Sequence, residues 1–161
     1  MYLNKKLVWL LFFITCTVAS SAGFVFPLGE ANEWYNSLNY PSFTPPNWLF
    51  GPVWSILYIM IATSAYLLVY SDHPKTEKLA PISMGLWCIQ IVLNTIWTPI
   101  FAGAQNLEVA FYYIMALWVS ILLYIINTLF FNLKASLLMF PYFCWVSFAS
   151  VLNYSFWKLN I

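Results

Sequence analysis

The feature that most constrains this chain is a succession of five long apolar stretches divided by short polar ones. Each stretch has about 20 residues, the length that an α-helix needs to cross the hydrocarbon core of a bilayer. Charged residues make up only 7% of the chain, against roughly a quarter in a soluble domain. We therefore predict an all-α, polytopic membrane protein, a five-helix bundle in one domain over residues 1–161. The predicted spans are 7–26, 48–70, 80–101, 109–131 and 136–157.

The connections predict how these helices are arranged. Those at 71–79, 102–108 and 132–135 are short, and short turns make neighbouring helices antiparallel. The first connection, from about Pro27 to Asn47, is long and rich in proline. A secretory signal cleaved near Ala22 is an alternative for the N-terminus, but the apolar run continues past that point.

Lysine placement predicts the orientation in the membrane. With five spans, five of the six lysines share the side of the N-terminus: Lys5, Lys6, Lys75, Lys78 and Lys134. Only Lys158 falls on the opposite side. Because cytoplasmic loops carry an excess of lysine and arginine, we expect a bacterial cell membrane protein with a cytoplasmic N-terminus and an outward-facing first loop.

The few polar groups exclude several functional classes. The net charge is +1 and arginine is absent, so no basic surface for nucleic acid is expected. All carboxylates and the single histidine, His73, lie in or beside connections, whereas proton-driven transporters normally carry such a group inside a span. The sequence predicts no metal site, although His73 as a haem ligand is an alternative. Cys16, Cys88 and Cys144 are widely spaced in apolar runs and are expected to be buried thiols.

Aromatic side chains recur at helical spacing in three spans. These stripes are Phe50, Trp54 and Tyr58 in the second span, Trp87, Gln90, Asn94 and Trp97 in the third, and Tyr142, Trp145, Ala149 and Leu152 in the fifth. Two interpretations stay open for them. The stripes either pack the helices together, with the amides as interhelical hydrogen bonds, or they line an apolar cavity for a flat, weakly polar ligand.

The first loop and its neighbours resemble a known family. Residues 41–48 (PSFTPPNW) run into 50–58 (FGPVWSILY), and the third span contains 93–101 (LNTIWTPIF). The fifth span carries Pro141-Tyr142, Trp145, Phe148-Ala149 and Leu152-Asn153-Tyr154. These motifs, in this order, are similar to those of the TspO/MBR family, the tryptophan-rich sensory proteins and mitochondrial translocator proteins, also called peripheral benzodiazepine receptors.

The resemblance implies a function as well as a fold. It implies a membrane receptor or carrier, without a required cofactor, that binds porphyrins or haem-like tetrapyrroles, sterols and benzodiazepine-type ligands under the first loop. The implied ligand-binding residues are Tyr35, Trp54, Tyr58, Asn94, Trp97, Trp145, Ala149 and Leu152. Trp54 and Asn94 would donate hydrogen bonds to a ligand carbonyl. Trp54 and Trp145 would be the catalytic candidates if the protein degrades porphyrin in light.

Three further expectations follow from the resemblance. Leu152, Tyr154 and Lys158 satisfy a loose sterol-binding pattern, for which an interfacial anchor is the alternative. Family members are usually homodimers, but here Gly85 is followed four residues later by Ile89, which weakens the expected seam of small residues. Val109 replaces a tryptophan often found at the start of the fourth helix, and this change is expected to alter one wall of the pocket.

Overall fold

The computed structural model describes residues 4–21, 25–26 and 32–161, and within them the chain is helical with short connections. A 3₁₀ turn at Asn47–Leu49 leads into the third helix, and a π-helical turn at Pro99–Gly103 follows the fourth. The helices are α1 (Lys5–Ser20), α2 (Glu33–Ser37), α3 (Phe50–Val69), α4 (Thr76–Thr98), α5 (Leu107–Leu129) and α6 (Leu133–Leu159). The prediction of an all-α membrane bundle is confirmed.

Four helical segments in the described part are long and apolar enough to cross a bilayer: Asn47–Val69, Thr76–Gly103, Leu107–Leu129 and Leu133–Leu159. Helix α1 is described over 16 residues, somewhat short of the roughly 20 that a span requires. Helix α1 ends at Ser20, and residues 22–24 of the predicted span 7–26 lie outside the described residues. The protein is thus a multi-pass membrane protein whose first span is described in part.

Two helices begin earlier than hydropathy predicts because their polar caps lie outside the apolar runs. Helix α5 begins at Leu107, where the Asn106 side chain accepts a hydrogen bond from the Val109 amide. Helix α6 begins at Leu133, and the Asn132 side chain caps it in the same way. Such caps satisfy amides that the first helical turn leaves without partners. At the other end of α4, Pro99 ends the α-helix and opens the π-helical turn.

The helices pack in a ring. Helix α1 contacts α3 and α4, α5 lies between α4 and α6, and α3 closes the ring against α6. Small and aliphatic side chains such as Ile61, Ala65 and Ile121 are fully buried at its centre. Cys16 is buried as predicted, but Cys88 and Cys144 are exposed on the outside of the bundle. The expectation for these two thiols was wrong because an apolar run alone does not say which side of a helix meets lipid.

One end of the bundle is held together by buried and partly buried hydrogen bonds. It is called here the polar end and comprises residues 64–68, 79–83 and 124–136. The Ser64 hydroxyl donates to the Ala135 carbonyl at 2.7 Å and lies 2.7 Å from the Tyr124 hydroxyl. The Asn127 amide donates to the Leu79 carbonyl at 2.9 Å, and the Asn132 amide donates to the Leu67 carbonyl at 2.9 Å. These bonds join α3, α4, α5 and α6 to one another.

Candidate functional site

The opposite end of the bundle encloses a cavity of about 380 Å³. Small-molecule sites typically occupy about 300–1,000 Å³, so this cavity is large enough for a ligand. It lies between α1, α3, α4, α5 and α6 and is lined by Ala19, Ser20, Phe26, Asn47, Phe50, Gly51, Trp54, Ser55, Tyr58, Asn94, Trp97, Thr98, Ile114, Leu117, Trp145, Val146 and Ala149. None of these described residues is charged.

Three aromatic or polar stripes predicted from the sequence meet in this cavity. Trp54 stacks on Tyr58 with ring centroids 5.4 Å apart, because residues four apart share one face of α3. Trp145 lies edge-on to Phe50 with centroids 5.7 Å apart. Ala149 lies one turn beyond Trp145 on α6 and leaves space between these rings. The stripes therefore line a cavity as well as pack helices.

A hydrogen-bonded unit of three side chains forms part of the cavity wall and is called here the tyrosine clamp. The Tyr58 hydroxyl donates to Asn94 Oδ1 at 2.9 Å. Asn94 Nδ2 donates in turn to the Tyr142 hydroxyl at 2.9 Å. Because the three residues come from α3, α4 and α6, the clamp joins three helices. Both polar atoms of Asn94 already have partners, and one of its two amide hydrogens remains for a ligand.

The indoles of the cavity differ in what their N–H groups do. Trp97 Nε1 donates to Asn153 Oδ1 at 3.0 Å, so Trp97 serves as a fixed wall. The N–H groups of Trp54 and Trp145 have no acceptor among the described residues. An indole N–H in an apolar site normally finds a hydrogen-bond partner. These two indole groups are therefore free donors, in addition to the spare amide hydrogen of Asn94.

A second, smaller cavity of about 30 Å³ adjoins the first. It shares Phe50, Trp97 and Ala149 with the main cavity, and its other lining residues are Tyr35, Phe101, Leu152, Asn153 and Phe156. Six of the eight predicted ligand-binding residues thus line the main cavity. The other two, Tyr35 and Leu152, line the smaller one, on the far side of Trp97 and Phe50.

The first loop covers the smaller cavity. Tyr35 on α2 is 2% exposed, and its ring packs on Phe156 with centroids 5.7 Å apart. Burial raises the pKa of Tyr35 to about 12, so its hydroxyl stays protonated at neutral pH. Two hydrogen bonds hold the loop to the end of α6. The backbone N–H of Asn39 donates to Asn160 Oδ1 at 2.7 Å, and Asn160 Nδ2 donates to the backbone carbonyl of Asn39 at 3.1 Å.

Several lining residues were missed by sequence reasoning. Ile114 and Leu117 bring α5 to the cavity, but aliphatic residues in an all-apolar helix carry no distinguishing pattern. Asn153 anchors Trp97 and also donates to the Leu107 carbonyl at 2.9 Å. It lies in a motif used for the family resemblance, and its polarity within the span was the available signal. Val109 was expected to alter a pocket wall, but it is 40% exposed and lines neither cavity, because it faces outward on α5.

The structure separates the residues of the sterol pattern. Leu152 is buried against the smaller cavity, whereas Tyr154, two positions later, faces outward. The Lys158 ammonium lies 3.9 Å from the centre of the Trp157 ring and 5.7 Å from that of Tyr154. Tyr154 and Lys158 thus form an exposed aromatic and cationic group that Leu152 does not join. His73 lies in the exposed connection at the polar end, away from both cavities.

Comparison with known proteins agrees with this geometry. The model of the TspO/MBR family matches residues 7–158. Protein CrtK of Rhodobacter capsulatus is 38% identical over 92% of this chain and 90% of its own length. The tryptophan-rich protein TspO of Chlorobaculum tepidum is 37% identical over 98% and 99%, and the human translocator protein is 36% identical over 89% and 87%. This chain, a membrane bundle with a tryptophan-lined cavity at one end, therefore belongs to the TspO/MBR family.

Proposed function

We propose that this membrane protein is a receptor or carrier for a flat, largely apolar ring compound, of the porphyrin or sterol class, held in the main cavity. The observation that carries the proposal is an uncharged, ring-lined cavity whose lining includes two indoles, Trp54 and Trp145, with N–H groups that have no acceptor among the described residues. Apolar walls with a few placed donors are typical of small-molecule sites. The names of the relatives, a translocator protein and tryptophan-rich proteins, agree with a binding or transport role.

The absence of charge among the described lining residues limits how a tetrapyrrole would bind. Burying an unpaired carboxylate in an apolar site is costly. Propionate groups of a porphyrin would therefore extend through the polar part of the cavity, near Ser20, Asn47 and Ser55, while the ring lies against Trp54 and Trp145. A benzodiazepine-type ligand has no such charge and would place its carbonyl among the hydrogen-bond donors of the cavity wall.

The first test is a binding titration with protoporphyrin IX, followed by the absorbance of the porphyrin. We expect Trp54→Phe to weaken binding several-fold, because one donor and part of a ring surface are lost; a net hydrogen bond contributes about 1 kcal/mol. Trp118→Phe is the matched control, since Trp118 donates to Ser147 at 2.8 Å and lines neither cavity. Equal affinity of all three proteins would remove the main cavity as the ligand site.

A second candidate function is the light-dependent degradation of porphyrin. The observation that favours it is that two indoles, Trp54 and Trp145, line the same cavity wall and could exchange electrons with an excited porphyrin in the presence of oxygen. A new bilin-like absorbance after illumination would support it, provided that Trp54→Phe and Trp145→Phe both abolish the product. Equal product formation with free tryptophan would leave binding as the only function.

Transport, orientation and assembly are further parts of the proposal. Flux of protoporphyrin IX into sealed vesicles would separate a carrier from a receptor. We propose a bacterial cell membrane location with the N-terminus in the cytoplasm, as the lysine distribution predicts.

We also propose a homodimer, for which the exposed face of α4 around Gly85 has open space. Crosslinking in membranes at Gly85→Cys would test that contact.

A further inference from the structure

The tyrosine clamp holds more hydrogen-bond donors than it uses. Its members are almost wholly buried: Tyr142 is 0% exposed, and Tyr58 and Asn94 are each 8% exposed. The two hydroxyls and the side-chain amide together carry four hydrogens, and the two observed hydrogen bonds use two of them. One hydroxyl hydrogen and one amide hydrogen therefore remain. A buried donor without an acceptor is unfavourable, so the clamp is built to meet an added acceptor.

The two hydrogen bonds of the clamp can run in either of two donor-to-acceptor directions, with heavy atoms at the same positions. In one direction Tyr58 donates to Asn94, and Asn94 donates to Tyr142. Rotation of the amide by half a turn exchanges its oxygen and nitrogen, which are nearly equal in size. Tyr142 then donates to the Asn94 oxygen, and the Asn94 nitrogen donates to Tyr58. Both directions keep two hydrogen bonds, and they differ in which hydroxyl has the spare hydrogen.

The position of the two tyrosines makes this difference relevant to ligand binding. Tyr58 lines the main cavity, whereas Tyr142 lines neither cavity. In the first direction the spare hydroxyl hydrogen is on Tyr142, which has no acceptor for it among the described residues. In the second direction the spare hydrogen is on Tyr58 and is open to the cavity. An acceptor in the cavity therefore stabilises the second direction.

We propose that the ligand is a flat ring compound with a carbonyl-type acceptor that accepts a hydrogen bond from the Tyr58 hydroxyl. Tyr142 is a positioning residue that does not touch the ligand. It donates a hydrogen bond to the Asn94 oxygen in place of Tyr58, so the hydroxyl hydrogen of Tyr58 becomes available to the ligand. No proton is transferred between residues, since two hydroxyls and one amide only rotate. This inference rests on the proposed function of the main cavity and names the donor that the bound ligand meets there.

The test uses two probes of the same flat three-ring shape. Anthraquinone carries carbonyl acceptors, and anthracene has none. We expect Tyr142→Phe to lower the affinity for anthraquinone about fivefold, the change that a typical net hydrogen bond produces, and to leave the affinity for anthracene unchanged. Tyr58→Phe should have a similar effect. The double variant should lose no more than Tyr58→Phe alone, because Tyr142 acts only through Tyr58.

A matched control comes from the polar end. Tyr124 is also a wholly buried tyrosine, paired with Ser64 at 2.7 Å, and Tyr124→Phe should leave both affinities unchanged. If Tyr142→Phe is not recovered in folded form, Tyr58→Phe carries the test, since the Tyr58 hydroxyl must contact the acceptor. Unchanged affinity of Tyr58→Phe or Tyr142→Phe for anthraquinone overturns the inference, as does an equal loss for anthracene. If the unmodified protein binds neither probe nor protoporphyrin IX, the proposed function itself fails.

Discussion

The two ends of the bundle are held together by different interactions. At the polar end, side chains donate across helices to backbone carbonyls, as Ser64 does to Ala135 and Asn132 does to Leu67. At the cavity end, ring contacts such as those of Trp54 with Tyr58 and of Phe50 with Trp145 accompany the side-chain hydrogen bonds of the tyrosine clamp. Hydrogen bonds have fixed directions, whereas ring contacts tolerate small shifts. The polar end therefore fixes the helix positions, and the cavity end retains space for a ligand.

This division explains why a cavity can persist in a small bundle. Empty volume in a core lowers stability, so the helices around it must be held apart by contacts elsewhere. The hydrogen bonds of Ser64, Asn127 and Asn132 supply those contacts at a distance from the cavity. We expect changes at the polar end to alter stability and changes at the cavity end to alter affinity.

The largest expected difference comes from enlarging one alanine at each end. Ala135 is 0% exposed and is enclosed by polar contacts, so Ala135→Leu should lower stability by about 1–3 kcal/mol through overpacking. Ala149 borders both cavities, so Ala149→Leu should fit without such a loss and lower ligand affinity about tenfold by occupying the site. Thermal unfolding and protoporphyrin IX titration would measure the two effects. Equal destabilisation of both variants would contradict the conclusion that the polar end determines stability and the cavity end determines affinity.

A smaller difference is expected from two helix-capping asparagines. Asn132 caps α6 and also donates to the Leu67 carbonyl, so Asn132→Ala should lower stability by about 2 kcal/mol, from a lost cap and a lost interhelical bond. Asn106 caps α5 at the cavity end, so Asn106→Ala should lower it by about 1 kcal/mol. Unfolding in mixed micelles would show whether the order holds. A larger loss of stability for Asn106→Ala than for Asn132→Ala would contradict the conclusion that the polar end fixes the helix positions.

The smallest expected effect has the opposite sign. Gln90 lies one turn before Asn94 on α4, and both of its side-chain polar atoms are buried without a partner among the described residues. Removing unsatisfied polar atoms while keeping volume relieves a desolvation penalty. Gln90→Leu should therefore raise stability by about 1 kcal/mol, whereas Asn94→Leu should lower it. A lower unfolding temperature for Gln90→Leu would indicate that Gln90 has a partner in the folded protein, such as a buried water.

Part of this structure could be predicted from the sequence for clear physical reasons. The length of the apolar stretches predicted the helices. The helical spacing of Trp54, Tyr58 and Asn94 predicted the helix faces on which they lie. Pairing across helices could not be predicted, because spacing does not specify which side chain lies opposite. Asn94 and Gln90 look alike in the sequence, yet Asn94 is bonded to two tyrosines and Gln90 to neither.

The outward-facing positions were the hardest to assign. Cys88, Cys144 and Val109 were placed inside the bundle or at a pocket wall, and all three are exposed. In a soluble protein, polar residues mark the outer face of a helix and reveal its orientation. Lipid accepts the same apolar side chains as the core does, so this signal is absent here.

The unequal bonding of the indoles has a spectroscopic consequence. Trp9, Trp87 and Trp118 donate their N–H groups to acceptors within the bundle, and their hydrogens should exchange slowly with deuterium. Trp54 and Trp145 line the main cavity without such a bond and should exchange faster than these three. Slower exchange of these two indole hydrogens after a ligand is added would report an occupied cavity without any added probe.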